Sequence, residues 1–596
     1  MEQLMSLARS DLLDRSRGLL LGAAAGDALG WPQEQRSGII GGRKAREVPP
    51  TMAFRAWNRW GGTLYAKYQD AVAAGEYSDD TQLLLATARS CLRGNAWWSW
   101  LTDVELPAWP LYQRGGGRAV LTACRSWQNS TPPWQGPERK VRSYFSAGAN
   151  GVAMRIAPHA LVTLDDDSPK PLVSRVLMDG ILTHGHPRAL LGGVVYALAV
   201  RHILLHQGAM KYGDLLEALS SESIWTDPDH AVSSVPVEWL EQFEGNSDAS
   251  FLISWRETVQ EIRDLFGIAD NSLRRAALAD DEKTLNELGC FDPKKNGSGT
   301  ITAVAAIYLA SRFSVRPSMG LLRSAFLANA DTDTLASMTG ALLGALHGPE
   351  WLSVLAPDLQ DRSYIEKLSV ELPPGWGELS LEQPRRLVSP VSWLNSLVSM
   401  GKVTELYDGR PVQSVKSAPI HDTESLAVTR YKLVTGDGQS LIIDNVMRSR
   451  KGVGQSRDKG GKKVEALAGS ERKEGATGRR QPSRVTRVAI YVANLAQARW
   501  FYNEVLGIDV GESDQAFYVS PWIAVLQKPE EMSSPQESAV QITVATSNSK
   551  QILAMVEKHG IRMVPRKPQD IPGSLRVLDP DGHEVLVWPT NDPRVD

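Results

Sequence analysis

Residues 446–484 constrain this chain most, because they cannot be buried. Twelve basic side chains, from Arg448 and Lys451 through Lys462 and Lys463 to Arg480 and Arg484, stand there against four acids, with glycine and serine between them. So little apolar surface cannot offset the entropy of ordering, and the stretch reads as a flexible linker. A chain of 596 residues is too long for one core in any case. The linker divides it into a helical region 1–375 with a β-containing annex 376–445, the basic linker 446–484, and a second folded unit 485–592. A basic linker can hold phosphate backbones weakly; a solvated spacer is the simpler reading.

Composition narrows the class. The chain is 42% hydrophobic and 22% charged with net charge −3, which is ordinary for a globular protein and excludes a strongly basic nucleic-acid binder. Cys91, Cys124 and Cys290 are too few for a disulfide scaffold and too scattered for a structural zinc site. The first residues lack the basic-then-apolar order of a signal peptide, and no stretch approaches 18 uninterrupted apolar residues. A cytoplasmic protein without a membrane partner is expected.

From Asp14 to about Leu372 apolar residues recur at three- and four-residue spacing, as in Leu190-Val194-Leu198 and Leu335-Met338-Leu342-Leu346. Glycines and prolines punctuate them at Gly115–Gly117, Pro132-Pro133, Gly148–Gly151 and Gly297–Gly299, and Pro373-Pro374 closes the region. This predicts an all-α domain of ten or more helices without strand-like alternation. In the annex, Lys432–Thr435 and Leu441–Ile443 flank Gly436-Asp437-Gly438 and predict a β-hairpin. Between Val485 and Pro589, strand and helix patterns follow one another twice, predicting two βαβββ halves of an α+β domain.

Two acid-rich segments stand directly before predicted helices: Tyr77-Ser78-Asp79-Asp80-Thr81 and Ala330-Asp331-Thr332-Asp333-Thr334. Singly, each is explained as a helix cap, since Ser and Asp cap N-termini and acids oppose the helix dipole. A cap needs one oxygen, however, and each segment offers three or four. Adjacent carboxylates also repel unless a cation or protons offset them. Carboxylate and hydroxyl oxygens without cysteine or histidine form the donor set of hard cations, Mg²⁺ foremost, with Mn²⁺ or Ca²⁺ also chemically suited.

The order of motifs resembles the ADP-ribosylglycohydrolase family. The series runs Gly22-Ala23-Ala24-Ala25-Gly26-Asp27-Ala28-Leu29-Gly30 with Glu34, then Gly75–Thr81, then Gly148-Ala149-Asn150-Gly151-Val152-Ala153-Met154-Arg155. Thr183-His184-Gly185-His186-Pro187 follows, and last comes Ala330–Thr334 with Gly340, Gly344 and Gly348. The resemblance implies an all-α fold with two Mg²⁺ ions, and hydrolysis of ADP-ribose from a modified protein, nucleic acid or small molecule. By position, Ser78, Asp79, Asp80, Asp331, Asp333 and Thr334 would hold the ions. Gly148, Asn150, Gly151, Arg155 and His184 would cradle ADP-ribose. Asp80 or Glu34 would act as acid or base, and the sequence does not separate them. Gly115, Gly116 and Gly117, between Arg114 and Arg118, suit a diphosphate equally well as a plain loop. Many family members carry two glycines where Asn329-Ala330 stand here, which matters only if that backbone needs positive φ. The same family includes crystallin-like non-enzymes, so a silent ADP-ribose-binding or structural protein is one alternative. The basic linker and the tryptophans at 97, 98, 100, 109, 127 and 134 suggest another, action on ADP-ribosylated nucleic acid with a ring to stack on.

The C-terminal unit, through Phe501-Tyr502-Asn503-Glu504-Val505-Leu506-Gly507 and Asp579-Pro580-Asp581-Gly582-His583, resembles the glyoxalase/bleomycin-resistance (vicinal-oxygen-chelate) superfamily. Its metal-ligand positions fall here on Arg487, Gln541 and Leu586, and arginine and leucine cannot ligate a cation. The resemblance therefore implies a metal-free binding or dimerisation module, with a homodimer formed through this unit.

Overall fold

A computed structural model describes residues 2–34, 49–63, 66–208, 210–374, 389–423 and 425–448, and in the C-terminal unit 488–492, 516–520, 523–527, 542–546, 549–565, 575–578 and 584–589. The chain divides into two units, Met1–Arg457 and Asp458–Asp596. The first unit is built on helices. Those that carry its core and its site are α1 (Glu2–Gly30), α2 (Asp79–Cys91), α3 (Arg118–Gln128), α4 (Lys170–Gly180), α5 (Pro187–Leu205), α6 (Phe251–Arg274), α7 (Gly299–Arg312), α8 (Thr332–His347), α9 (Arg362–Glu371) and α10 (Pro390–Met400).

α5 runs through the centre. Pro187 at its first position presets helical φ, and the His186 side chain accepts the Arg188 N–H at 3.1 Å. Among the described helices it alone is long and apolar enough to cross a membrane, yet 83% of it lies buried inside the fold. A helix apolar on all sides and covered on all sides is a core helix.

The most extensive contact between helices of the unit joins α1 to α8. Gly18, Gly22, Gly26 and Gly30 recur every four residues and so form one stripe along α1. They face Gly344, Gly340, Ala336 and Thr332 in antiparallel order. A Cβ placed on Gly22 would sit 2.1 Å from the Gly340 carbonyl oxygen, and one on Gly26 equally close to that of Ala336. The two backbones touch, as small residues permit. The stripe also fixes the register of the helix ends: the Thr332 hydroxyl donates to the Gly30 carbonyl at 2.9 Å.

One departure from the expected all-helical region is a hairpin of β1 (Trp57–Thr63) and β2 (Ala66–Val72). Its strand signal is weak because Gly61 and Gly62 interrupt it and only one face is covered. The annex is larger than its predicted hairpin: β3 (Val412–Asp422), β4 (Leu426–Thr435) and β5 (Ser440–Arg448) form an antiparallel sheet in the order 3-4-5. It packs within the first unit, where Leu426 and Val428 bury against Ala66 and Tyr68 of the hairpin.

In the second unit, β6 (Val488–Val492), β7 (Ala516–Ser520) and β8 (Ile523–Gln527) form a sheet in the order 6-8-7, with β6 parallel and β7 antiparallel to β8. β9 (Ile542–Thr546), α11 (Ser549–Lys558), β10 (Leu575–Leu578) and β11 (Glu584–Pro589) follow, with strand order 9-11-10 and the same pattern of directions. The repetition agrees with two related halves; three strands of each are among the described residues. Leu586 lies in β11 opposite Arg576 and Thr543. Arg487, Gln541, the expected helix 495–506, the turn at Asp579–Gly582 and most of the basic linker lie outside the described residues.

The glycine stripe yields a stability prediction. Gly22→Ala must push two backbones apart and is expected to cost about 3 kcal/mol or to prevent folding. Gly267→Ala, inside α6 with nothing within 4 Å of the added Cβ, is expected to gain about 0.5–1 kcal/mol. Urea and thermal denaturation midpoints of the two full-length variants test both signs.

Candidate metal centre and substrate cleft

The antiparallel stripe delivers the end of α1 to the start of α8, and the acids follow. Just beyond Gly30, a short turn Trp31–Gln33 leads to Glu34. Carboxylate oxygens of Glu34, Asp331 and Asp333 lie within 4.8 Å of one another. α2 is brought to the same place by Asp27, which projects from α1 and is wholly buried. Its carboxylate accepts the Ser78 N–H at 3.1 Å, the Thr81 N–H at 3.0 Å and the Thr81 hydroxyl at 2.6 Å. A carboxylate of one helix thus closes the N-terminus of another. Asp27 stands inside a motif that the sequence displayed without assigning it a role; its partners are 51 and 54 residues away.

The capping explanation of the acids is settled by hydrogen bonds. Ser78 is the N-cap of α2, and its Oγ accepts the Asp80 N–H at 3.3 Å. Asp79 and Asp80 are therefore not needed as caps. Asp331 holds the N-cap position of α8 but its side chain makes no capping bond; it accepts instead from Asn150 Nδ2 at 2.8 Å. Asp80 Oδ1 is buried with no hydrogen-bond partner. A buried carboxylate oxygen left in this state is costly unless a cation or a proton meets it. The oxygen-only donor set and the orphaned Asp80 oxygen fit a divalent cation.

These acids line one wall of a cleft of about 820 Å³, large enough for a small ligand. Glu34, Asp79, Asp80, Asp331, Asp333, Thr334, Gly115, Gly117, Gly148, Asn150, Gly151 and His184 all border it. Gly115, at φ +105, touches the acids themselves: a Cβ there would lie 2.7 Å from Asp79 Oδ1. Gly117 opens α3, so the first N–H groups of that helix face the cleft beside Arg118. The loop 148–151 is held by the Asn150 N–H, which donates to Gly297 O at 2.9 Å, and by the Gly299 N–H, which donates to Gly148 O at 3.0 Å. Asn329 takes the positive φ, +67, that precedes the second acid segment. Asparagine tolerates that conformation, and Ala330 escapes it.

Several expectations need correction. Arg155 does not border the cleft: it is wholly buried, paired with Asp179 at 2.7 Å and bonded to the Gly151 carbonyl. It braces the loop from beneath. Arg114 is likewise consumed, by Asp70 at 2.8 Å and Glu76 at 2.6 Å, so only Arg118 remains of the flanking pair. Gly116 and Ser78 are not among the residues that border the cleft; Ser78 is wholly buried, with its Oγ 3.5 Å from Asp80 Oδ2. Trp97, Trp100, Trp109, Trp127 and Trp134 are core residues and offer no free face for a base, whereas Trp98 is half-buried in T-shaped contact with Trp127. Sequence reasoning also missed Arg188, Lys294 and Lys295 on the cleft border. They follow helix and turn signals that betray no site.

Electrostatics agree with the geometry. Burial above all, then repulsion from Asp27, Glu34 and Asp331, pushes Asp79 up to about 8. Burial and neighbouring carboxylates likewise hold Asp80 and Asp333 well above the usual carboxylate range. Burial, with Arg155 nearby, depresses His184 to about 3, so its imidazole is neutral. Acids with raised folded-state pKa bind protons more tightly when folded. Their contribution to stability is full below the unfolded value and is lost as pH rises through the folded one. Without divalent cations, the melting temperature should therefore fall as pH rises from about 4 to about 8. A saturating divalent cation should remove most of that slope, as scanning calorimetry with chelator and with cation can check.

The chain matches the ADP-ribosylglycohydrolase sequence profile over residues 8–379. No curated protein sequence matches it. Among solved structures, it is similar to an "ADP-ribosylglycohydrolase-related protein complex", 23% identical, covering 61% of this chain and 98% of that one with a TM-score of 0.38. It is also similar to glyoxalase I of Leishmania major, 20% identical over 18% of this chain and 86% of that one, TM-score 0.15. The fosfomycin resistance protein FosX of Mesorhizobium loti is 18% identical over 18% of this chain and 95% of that one, TM-score 0.15. The profile match spans more than half of the chain and contains every acid of the cleft, and by it this protein belongs to the ADP-ribosylglycohydrolase family, metal-dependent hydrolases that remove ADP-ribose.

Proposed function

We propose that the chain is a Mg²⁺-dependent hydrolase that cuts the bond between the anomeric carbon of ADP-ribose and its acceptor. The observation that carries this reading is the buried acid cluster, in which Asp80 Oδ1 lacks any partner and the Asp331 carboxylate caps nothing. Asp79, Asp80, Asp331, Asp333 and Thr334 would hold two Mg²⁺ ions, with Mn²⁺ a chemically adequate substitute. When bound, such ions orient ribose hydroxyls and acidify water at the reacting carbon.

The protein's own groups divide the remaining work. Cleavage builds oxocarbenium character on the ribose, and a carboxylate must move a proton. Glu34 suits that task better than Asp80: it is half-buried on the cleft border, whereas Asp80 is 2% exposed within the acid cluster. The diphosphate would lie on the first N–H groups of α3 with Arg118, and along Gly148–Gly151. Neutral His184 would hydrogen-bond rather than supply charge. Asn150 orients Asp331 through its 2.8 Å bond, which makes it a positioning residue. The acceptor would be a protein side chain, a nucleobase or a small conjugate. Burial of all these tryptophans but Trp98 weakens one motive for preferring nucleic acid.

ADP-ribose release measured on acceptors of each class, with and without Mg²⁺, tests the reading. Asp333→Asn is expected to lower the rate about 10³-fold. Glu34→Gln is expected to lower kcat about 10²-fold or more while ADP-ribose still binds. No metal-dependent release from any acceptor would revive the silent-binder alternative, and near wild-type rates in Asp333→Asn would overturn the metal centre.

A further inference from the structure

The annex sheet, which begins at Val412, lies beyond the family match, yet it is bonded to both flanks of the first acid motif. On one flank, Arg430 of β4 grips Asp444 of β5 at 2.7 Å and reaches Asp70 of β2 at 2.6 Å. Asp70 also pairs with Arg114 at 2.8 Å and Arg59 at 3.0 Å. Arg114 directly precedes Gly115, the residue pressed against Asp79 Oδ1. On the other flank, the Ser440 N–H at the start of β5 donates to Asp361 Oδ1 at 2.9 Å. Asp361 Oδ2 accepts the Tyr77 hydroxyl at 2.6 Å, and Tyr77 directly precedes Ser78-Asp79-Asp80. Both paths end one residue from the ligand motif or from the loop that touches it.

Asp70 and Arg114 at the centre of the first path are buried, with the Asp70 side chain 3% exposed, and Arg430, Asp444 and Asp361 are half-buried. Burial opposes its ionisation, yet Arg114, Arg430 and Arg59 together hold its carboxyl below the usual carboxylate range. Such a network is a poor way to gain stability, because desolvation consumes most of the attraction, but loss of one member leaves the others unpaired. It does fix geometry: a guanidinium fork held by two carboxylates has little freedom. Metal sites need their donors held to about 0.5 Å.

On the two-cation reading above, we infer that the annex is a positioning element of the metal centre, acting through Arg430–Asp70–Arg114 on Gly115 and through Ser440–Asp361 on Tyr77. It holds Asp79 and Asp80 where a divalent cation meets them, so its contacts set cation affinity and not only stability.

The test is Mn²⁺ binding to the full-length chain, followed by the electron paramagnetic resonance of free Mn²⁺, with circular dichroism and melting recorded beside it. Arg430→Gln is expected to stay folded at the assay temperature and to raise the Mn²⁺ dissociation constant about tenfold, as loss of a supporting partner does. Arg430→Lys, which keeps the charge without the fork, should recover part of the loss. Tyr77→Phe removes one hydroxyl from the second path, and its Mn²⁺ affinity should also fall. Folded variants that bind Mn²⁺ as the wild type does would overturn the inference and leave the metal centre standing. If Arg430→Gln does not fold, Tyr77→Phe decides, and unchanged affinity there overturns it. A wild-type chain that binds no Mn²⁺ would bring down the metal centre and this inference together.

Discussion

The backbone contact between α1 and α8 is the constraint on which the rest of the first unit depends. Two helices normally stand 8–10 Å apart because side chains separate them. Here four glycines of one helix meet glycine, alanine and threonine of the other, and carbonyl oxygens occupy the space where Cβ atoms would be. Such contact tolerates almost no sliding. It therefore sets not only that the helices touch but which residues end up level. Glu34, just past the end of α1, and the Asp331–Thr334 segment at the start of α8 are placed by that register, some 300 residues apart in the chain.

The site built there is electrostatically unfavourable by itself. Asp27, Asp79, Asp80 and Asp333 lose hydration and repel one another, and their raised pKa values express that cost. Asp27 is the acid least in need of a cation, since Thr81 and Ser78 donate to it. It uses its charge to hold the start of α2. The others point oxygens at the cleft. Folding energy from the glycine stripe and the apolar core is thus spent to concentrate negative charge, and a cation that binds only the folded state returns stability by linkage.

Around this centre the fold relies on buried polar bonds. Arg155 and Asp179 support the Gly151 loop, Asn150 joins the loop to Asp331, and the annex and hairpin converge on Arg114. Apart from the bond of Arg155 to the Gly151 carbonyl, they join segments distant in the chain, and each would be costly to half-break. In the cleft loops, atoms crowd the space that a side chain would need at Gly115 and Gly151, whereas Gly117 stands open.

The sequence alone determined the helical character of the first unit, the two acid segments and the family to which they belong. These are local patterns: helical periodicity, hydroxyl and carboxylate oxygens in excess of capping needs, and motifs in fixed order. The repeated order of elements in the second unit was legible for the same reason. The sequence showed Gly18, Gly22, Gly26 and Gly30 but not that a partner helix would lie against them, because a glycine stripe has meaning only when another backbone fills it. It presented Arg114 as a cation suited to a diphosphate and Arg155 as part of an ADP-ribose cradle; only the tertiary structure showed that Asp70, Glu76 and Asp179 had already taken their charge. It left Glu34 and Asp80 equivalent, and the structure shows them at different depths, Glu34 half-buried and Asp80 buried. Residue type and spacing fix what chemistry a side chain can do, whereas burial and partners 20 to 300 residues away decide whether that chemistry is still free to be used.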